Sequence, residues 1–266
     1  MQQISILGCG WLGFSLGKSL LENQFQVKGS TTSLEKMALL EKSGIMPFQI
    51  LLNENVIDGD ISSFLEHSEI LILDIPPKLR GLAKENFVAK IKTLVPFIEK
   101  SSVKKVLFVS STSVYSDANE TITEATTPQP DTESGKQLLA TERLLLANKN
   151  FQTTVLRFGG LIGDDRHPIR FLAGRKNIEN PEAPINLIHQ NDCIGIIKKI
   201  IAANCWNETF NAVYPFHPTR KAYYTDKAIE QNLPLPEFDF SKPSIGKLIL
   251  SDKVEGILEY QFKNKI

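Results

Sequence analysis

A glycine turn near the beginning of the chain, GCGWLG at residues 8–13, constrains the fold more than any other feature. An apolar run at residues 4–7 leads into this turn, and an amphipathic segment follows it directly. A strand, a tight glycine turn and a helix in this order begin a dinucleotide-binding βαβ unit. We therefore expect Gly8 to permit the sharp turn, Gly10 to let a pyrophosphate approach the backbone, and Gly13 to let the helix pack against the strand.

The charge balance and the distribution of apolar residues exclude several classes of protein. Thirty basic residues balance thirty acidic residues, so the chain lacks the net positive charge of a typical nucleic-acid-binding protein. No apolar run approaches the ~18 residues of a transmembrane helix, and no basic segment precedes the first apolar run as in a signal peptide. Cys9, Cys193 and Cys205 have no metal-ligand spacing. We expect a cytoplasmic protein with a small-molecule substrate and with no nucleic acid, membrane or metal partner.

Strand-like and helix-like segments alternate through the first two thirds of the chain. After the glycine turn, the predicted strands are residues 25–29, 46–52, 70–75, 106–110, 154–158 and 210–213. The predicted helices that follow the first one are residues 33–43, 84–100, 132–148 and 192–203. Strands that alternate with helices form right-handed βαβ crossovers. The sequence therefore predicts an α/β protein with a doubly wound parallel sheet, a Rossmann fold.

The regular alternation weakens in two segments, residues 159–184 and 215–266, where prolines and glycines accumulate. We expect them to form a small C-terminal substrate-binding lobe over the carboxyl ends of the strands, because ligands bind at that edge of such sheets. The rest of the chain, residues 1–158 plus 185–214, is then the NAD(P)-binding Rossmann domain.

The turn after the second predicted strand bears on the choice of nucleotide. NAD-binding proteins usually carry an acidic residue about 20 residues after the glycines, which accepts hydrogen bonds from the ribose hydroxyls. This turn has no carboxylate, and the hydroxyls of Ser30, Thr31 and Thr32 can instead donate to a 2′-phosphate. Lys28 or Lys36 can add positive charge. We therefore expect NADP as the cofactor, with NAD as the alternative.

Three later blocks are VLFVSSTSVY at residues 106–115, VLRFGGLIG at 155–163 and NLIHQND at 186–192. Together with the glycine turn, they resemble motifs of the extended short-chain dehydrogenase/reductases, the group of nucleotide-sugar epimerases and dehydratases. The blocks follow the order and spacing of that family, so the resemblance covers nearly the whole chain. It implies that Ser111 is the catalytic serine and that Lys136 is the lysine of the family's Tyr-x-x-x-Lys pair.

The position of the family's tyrosine, four residues before the lysine, is occupied by Thr132. A threonine hydroxyl is far less acidic than a phenol and cannot relay a proton in the same way near neutral pH. Three interpretations are open. Tyr115 supplies the phenol from another place, Glu133 or His189 acts as acid or base, or the protein binds the nucleotide without hydride chemistry.

The expected site residues fall into three groups. The expected catalytic residues are Ser111, Lys136 and Tyr115. The expected cofactor-binding residues are Gly8, Gly10, Trp11, Leu12, Gly13, Ser30, Thr31, Thr32, Ile75, Pro76, Lys136, Phe158 and Gly159. The expected substrate-binding residues are Arg166, which can grip a phosphate or carboxylate, and His189. Glu133 and Glu142 are otherwise expected to be exposed helix charges.

These expectations define two candidate functions. The first is an NAD(P)-dependent oxidoreductase, epimerase or dehydratase that acts on a hydroxyl or carbonyl substrate such as a nucleotide sugar. The second is a non-catalytic NAD(P)-binding sensor or regulatory protein that has lost the family's tyrosine. The resemblance also implies a homodimer formed through the helices predicted at residues 84–100 and 132–148.

Overall fold

In the part of the chain that the structure describes, residues 2–77 and 85–266 of a computed structural model, seven parallel strands form the central sheet. From one edge to the other they are β12 (Thr209–Ala212), β9 (Gln152–Phe158), β7 (Lys105–Ser111), β6 (Ile70–Leu73), β1 (Gln3–Leu7), β2 (Gln26–Thr31) and β3 (Met46–Gln49). The strand order reverses between β1 and β6, which opens a crevice at their carboxyl ends, where doubly wound sheets bind ligands. The predicted α/β Rossmann fold is confirmed.

Helices cover both faces of the sheet, and short strands pair outside it. The helices are α1 (Trp11–Glu22), α2 (Leu34–Lys42), α3 (Ile61–Leu65), α4 (Phe87–Lys100), α5 (Glu133–Leu146), α6 (Ile169–Leu172), α7 (Gln190–Ala202), α8 (Arg220–Glu230) and α9 (Asp252–Leu258). The short strands are β4 (Leu51–Leu52), antiparallel to β5 (Ile57–Asp58), and two parallel pairs, β8 (Glu120–Ile122) with β13 (Lys247–Ile249) and β10 (Gly160–Ile162) with β11 (Leu187–His189). No described helix is long and apolar enough to cross a bilayer.

Strand β6 lies between the two layers of helices and has no exposed residue. Ile70 and Ile72 belong to the buried cluster that contains Leu16 of α1. Leu71 and its second neighbour Leu73 face the opposite way, in the cluster that contains residues of α4 and α5. Successive side chains of a strand point to opposite faces. Burial on both faces therefore explains why this strand is apolar at every position.

The strand predicted at residues 46–52 ends at Gln49 in the structure. Gly59 lies against it with φ +108°, and a Cβ atom on this glycine would come within 2.0 Å of the Gln49 carbonyl oxygen. This close approach separates the last predicted residues from the central sheet, and they form β4, which pairs with β5. The long predicted strand is therefore two strands.

Helix capping sets the start of other elements. The helix predicted at residues 84–100 begins at Phe87, because the side chain of Asn86 accepts the N–H of Ala89 at 2.9 Å; residue 84 lies outside the described residues. Helix α8, which the sequence analysis did not anticipate, is capped in the same way by Thr219. Helices α3 and α9 were not anticipated either.

A third buried cluster lies outside the two layers that flank the sheet. It includes Ile162, Ile169 of α6 and Tyr223 of α8. Helix α9 is different, because its Val254 lies in the same cluster as Phe210 of the central sheet. The division of the chain into a Rossmann domain and a small lobe stays a prediction.

Candidate functional site

The glycine turn between β1 and α1 is tightly packed at two of its three glycines. A Cβ atom on Gly8, whose φ is +108°, would lie 2.2 Å from the Asp74 carbonyl oxygen. A Cβ atom on Gly13 would lie 2.3 Å from the Gly8 carbonyl oxygen. Gly10 differs, because nothing lies within 4 Å of the corresponding position. Two glycines are thus required by the packing of the protein itself, and the third borders open space at the beginning of α1.

A cavity of about 200 Å³ adjoins this turn at the carboxyl ends of β1, β2 and β6. Among the residues that line it are Gly8, Gly10, Ser30, Thr31, Thr32, Lys36, Ile75 and Pro76. The aliphatic side chains of Ile50, Leu51 and Leu52 line another part of its wall. The cavity therefore combines backbone amides, hydroxyls and an apolar surface, the donor set that suits a nucleotide.

The hydroxyls of the β2–α2 turn already have partners within the protein. Ser30 Oγ accepts the N–H of Gly8 at 2.9 Å, and the Ser30 carbonyl accepts the N–H of Cys9 at 2.7 Å. Thr31 Oγ1 accepts the N–H of Ser33 at 3.1 Å. Each hydroxyl keeps its own proton for donation, since a hydroxyl both donates and accepts. Ser30 thus fixes the glycine turn while it borders the cavity.

Of the two lysines expected near this turn, the structure places only Lys36 at the cavity. Lys28 Nζ instead donates to the carbonyl oxygens of Ser63 at 2.6 Å and Glu66 at 2.7 Å, at the end of α3. Burial lowers the pKa of Lys28. The expectation that Lys28 adds charge at the nucleotide is wrong, because its ammonium group is held by α3.

Asp74, directly after β6, is a site residue that the sequence analysis passed over. Its carboxyl group lies against Gly13, where a Cβ atom would come within 3.0 Å of Oδ2, and burial raises the pKa of this carboxyl group to about 7. Burial also raises the pKa of the Cys9 thiol to about 12, with a further contribution from the charge of Asp74. The available signal was a lone acid after a fully apolar strand, at the edge of the sheet where ligands bind.

Trp11, the first residue of α1, is held by a loop from the distant part of the chain. Its Nε1 donates to Asp165 Oδ1 at 2.8 Å, and the guanidinium of Arg166 lies 4.9 Å from the centre of its ring. Gly163 packs so closely that a Cβ atom there would lie 2.7 Å from the indole. The structure therefore places Arg166 beside the glycine turn. The next residue, Leu12, is buried in the core, so only its backbone can face a ligand.

His189 ends β11 and caps α7, where its Nδ1 accepts the N–H of Asn191 at 3.2 Å. Its Nε2 lies 3.6 Å from Asp164 Oδ1, in the same loop that holds Trp11. Because Nδ1 accepts, the neutral ring carries its proton on Nε2. Arg166 thus lies in the loop at residues 163–166, next to the start of α1, and His189 lies beside the same loop.

Ser111 ends β7 and caps a single 3₁₀ turn, where its Oγ accepts the N–H of Ser113 at 3.1 Å. The first turn of α5 packs on this segment, since a Cβ atom on Gly135 would lie 2.1 Å from the Ser113 carbonyl oxygen. Lys136 follows Gly135 and is exposed. The structure therefore brings the backbone segments that carry Ser111 and Lys136 together.

Thr132 is the N-cap of α5, and its Oγ1 accepts the N–H of Gly135 at 3.1 Å. The helix begins one residue later. The position of the family's tyrosine thus carries a capping hydroxyl that satisfies a backbone donor, the ordinary role of threonine at the beginning of a helix.

Tyr115 is buried on the face of the sheet that packs against α5. Its hydroxyl accepts from Arg157 Nη1 at 2.6 Å and donates to Asn211 Oδ1 at 3.0 Å. Burial raises the pKa of the phenol. This placement contradicts the expected catalytic role of Tyr115, because the phenol is enclosed among core residues and does not line the cavity.

Glu142 is also buried, which corrects the expectation of an exposed helix charge. Its carboxylate pairs with Arg157, with Nη2 and Oε2 2.6 Å apart, and accepts the Ser110 hydroxyl at 2.6 Å. The pair raises the pKa of Arg157. Glu142, Arg157 and Tyr115 thus form a buried polar network that supports the fold behind the site.

Two expected cofactor residues lie at the end of β9. Phe158 is buried in the core beside α1 and α7. Gly159 lies against the next segment, because a Cβ atom there would lie 2.5 Å from the Asn186 carbonyl oxygen. Within the described residues, no group of three or more His, Cys, Asp or Glu side chains is placed to hold a metal ion.

Solved structures with the same fold cover nearly the whole chain. A UDP-glucuronic acid 4-epimerase from Bacillus cereus, in complex with UDP-glucuronic acid and NAD, has a TM-score of 0.80 at 16% identity, over 99% of this chain and 95% of its own. A short-chain dehydrogenase/reductase superfamily protein from Agrobacterium tumefaciens with bound NAD has a TM-score of 0.80 at 14% identity, over 99% and 93%. A conserved protein of unknown function from Silicibacter pomeroyi has a TM-score of 0.81 at 20% identity, over 99% and 94%.

The glycine turn, the crevice and these matches define the class: the chain has the fold of the extended short-chain dehydrogenase/reductases. No protein-family model matches the sequence. The chain is 33% identical to protein YeeZ of Escherichia coli K12 over 270 residues, which cover 100% of this chain and 98% of that protein. It therefore belongs to the family of YeeZ.

Proposed function

We propose that this protein is an NADP-dependent oxidoreductase, epimerase or dehydratase of the extended short-chain type, acting on a hydroxyl or carbonyl substrate such as a nucleotide sugar. The observation that carries the proposal is the open space at Gly10, at the beginning of α1 and beside a cavity with hydroxyl, cationic and apolar walls. The N-terminus of a helix offers free amides and the positive end of its dipole to a phosphate. The residues present therefore fit a dinucleotide.

The preference for NADP rests on the turn between β2 and α2. Thr31, Thr32 and Lys36 border the cavity, and no carboxylate of this turn does so. An acid at this place would repel a 2′-phosphate, whereas hydroxyls and an ammonium group bind one. Two of the solved structures cited above contain NAD, so the choice of NADP over NAD rests on the turn of this chain alone.

The chemistry that a bound nicotinamide supplies is the donation or acceptance of a hydride. Ser111 would hydrogen-bond the reacting oxygen of the substrate, and Lys136 would hold the ribose next to the nicotinamide. Arg166 and His189 would contact the rest of the substrate from the loop beside α1. Thr132 and the buried Tyr115 cannot move the proton, so it would exchange through Glu133, His189 or water, and we expect slow turnover.

The second candidate is an NAD(P)-binding protein without turnover. The specific observation in its favour is the capping role of Thr132, which leaves no phenol at the position where the family carries one. In that case the fold and the nucleotide cavity serve as a sensor of the nucleotide.

Residues 159–184 plus 215–266 would form the substrate lobe, supported by the buried cluster that joins α6 and α8. A homodimer through α4 and α5 is part of the same proposal, and sedimentation of the purified protein tests it.

Titration calorimetry with NADP(H) and NAD(H), on the wild type and on Gly10→Ala, tests the nucleotide proposal. We expect NADP(H) to bind and Gly10→Ala to weaken binding at least tenfold, because the added methyl group occupies the space left for the pyrophosphate. Gly256→Ala is the matched control, since its position is equally open but lies in α9. A preference for NAD(H) would overturn the argument from the hydroxyls, and the absence of binding would overturn both candidate functions.

Hydride transfer separates the two candidates. A panel of nucleotide sugars and simple carbonyl compounds is incubated with the protein and cofactor, and the absorbance of the reduced nicotinamide is followed. An epimerase or dehydratase regenerates its cofactor and gives no lasting absorbance change. Isomerised or dehydrated sugars are therefore also sought by chromatography. If the protein is an enzyme, we expect slow turnover that is lost in Lys136→Ala. If it is a sensor, we expect tight binding of the nucleotide and no conversion of any substrate.

A further inference from the structure

A lysine of α4, Lys90, lines the proposed nucleotide cavity together with Thr31, Thr32 and Lys36 of the β2–α2 region. Its side chain is only 11% exposed. Lysine is seldom buried unless its charge is compensated. Among the described residues, its ammonium group has a single hydrogen-bond partner, the carboxylate of Glu85. Neither residue belongs to the motifs that identify the fold.

The partner of this lysine is less firmly placed. The side chain of Glu85 is 36% exposed and also lines the cavity. The backbone next to it is fixed, since the N–H of Asn86 donates to Glu54 Oε1 at 2.8 Å and the N–H of Phe87 donates to Gln137 Oε1 at 2.7 Å. The carboxylate can therefore leave Lys90 by side-chain rotation, without a change in α4.

These contacts place a cation and a removable anion in the wall of a cavity that otherwise suits a nucleotide. We infer that Lys90 binds a phosphate group of the nucleotide, and that the carboxylate of Glu85 forms an ion pair with Lys90 until the phosphate replaces it. A phosphate oxygen and a carboxylate oxygen are equivalent acceptors for an ammonium group. Glu85 thus competes with the ligand and lowers its affinity. This inference rests on the proposed nucleotide binding and assigns it a second cation besides Lys36.

The competition gives a signature that a purely structural ion pair lacks. Lys90→Met should weaken NADP binding about tenfold to a hundredfold, as expected for a lost charge-assisted hydrogen bond. Glu85→Gln should tighten binding several-fold, because the competing charge is gone. In the double variant, Glu85→Gln with Lys90→Met, the tighter binding of NADP should disappear, because no lysine remains for the phosphate to bind. Lys92→Met, an exposed lysine of the same helix, is the control and should bind like the wild type.

Calorimetry with NADP, NAD and ADP on these variants is the test, with thermal unfolding to confirm that each variant is folded. If Lys90→Met loses affinity for NADP alone, Lys90 binds the 2′-phosphate. If this variant loses affinity equally for all three ligands, Lys90 binds the pyrophosphate. If Lys90→Met does not fold, Glu85→Gln alone decides, because only competition predicts tighter binding. Unchanged or weaker binding by Glu85→Gln overturns the inference.

Failure of this inference can be told from failure of the proposed function. If the wild type binds neither NADP nor NAD, the proposed function is wrong before Lys90 is tested. If the wild type binds and Lys90→Met binds equally well, the proposed function stands and Lys90 has no part in it.

Discussion

The carboxyl group of Asp74 lies against Gly13, in the first turn of α1, where a Cβ atom would come within 3.0 Å of Asp74 Oδ2. The N-cap of this helix, Gly10, has no side chain to satisfy the free amides. An acid that directly follows the neighbouring strand β6 therefore lies close to the first turn of the helix on its inner side, while the position of Gly10 borders open space. A carboxylate near a helix N-terminus is stabilised by the dipole. Burial has the opposite effect here and is the stronger of the two, since the pKa is raised.

Asp74→Asn should stabilise the protein at neutral and alkaline pH. The pKa of Asp74 rises from its usual 3.8 to about 7 on folding. Well below pH 3.8 the carboxyl group is protonated in both the folded and the unfolded state, so its ionisation does not affect stability. As the pH rises to 7, the unfolded chain ionises first, so the free energy of unfolding falls. Three pKa units correspond to ~4 kcal/mol, and we expect about half of that because Asp74 keeps partial solvent contact.

The measurement is urea denaturation of the wild type and Asp74→Asn between pH 4 and 8. Asparagine has nearly the same size and shape as aspartate but no charge, so the difference between the two proteins reports the charge. The difference should grow with pH and level off above pH 7. A difference that is independent of pH would show that Asp74 is not protonated in the folded protein.

Gly8→Ala and Gly10→Ala should separate folding from ligand binding. The positive φ of Gly8 and the nearby Asp74 carbonyl leave no room for a methyl group. We expect Gly8→Ala to lower the free energy of unfolding by about 2 kcal/mol or more, since a strained backbone alone costs of order 1–3 kcal/mol. Gly10→Ala should unfold at the same temperature as the wild type. Calorimetric scans of both variants provide the check, and equal stabilities would contradict the packing argument.

Glu142→Ala should be strongly destabilising. The variant leaves the buried guanidinium of Arg157 without its partner, a change that typically costs about 3–5 kcal/mol. Glu133→Ala, in the exposed first turn of the same helix, is the control and should change stability by less than about 0.5 kcal/mol. Urea denaturation at neutral pH measures both. A small loss in Glu142→Ala would mean that solvent reaches Arg157.

Thr132→Tyr should lower stability, whatever it does to activity. The variant removes the capping hydroxyl of α5, which typically costs about 1 kcal/mol. Thr132→Ser keeps the cap and should match the wild type. If Ser111 and Lys136 are otherwise competent, the introduced phenol should raise the rate of hydride transfer in the substrate panel. Higher activity without a loss of stability would show that the cap contributes little.

Periodicity and glycine spacing were enough to predict the fold. The short apolar run of β6 and the spacing of Gly8, Gly10 and Gly13 are patterns along the chain, so a single sequence contains them. The contacts that explain these patterns, burial of β6 on both faces and the packing of Gly8 against Asp74, are seen only in the structure.

The polar residues behind the site could not be assigned in the same way. Tyr115 comes shortly after strand β7, at the ligand-binding edge of the sheet, but its phenol is buried on the face that packs against α5. There its hydroxyl accepts a hydrogen bond from Arg157, which in turn pairs with Glu142. That arrangement depends on three segments far apart in sequence. One signal was available: Arg157 is a charged residue within an apolar strand, and such a charge requires a buried partner.

The packing of Trp11 against the loop at residues 163–166 makes the start of α1 visible to spectroscopy. The chain has two tryptophans, and the other, Trp206, is buried and bonded to Asn204. Trp11 follows Gly10 along the chain, and its indole has a carboxylate on its nitrogen and a guanidinium over its ring. Its emission should therefore change when a ligand alters this environment, and the unlabelled protein carries its own optical probe of the crevice.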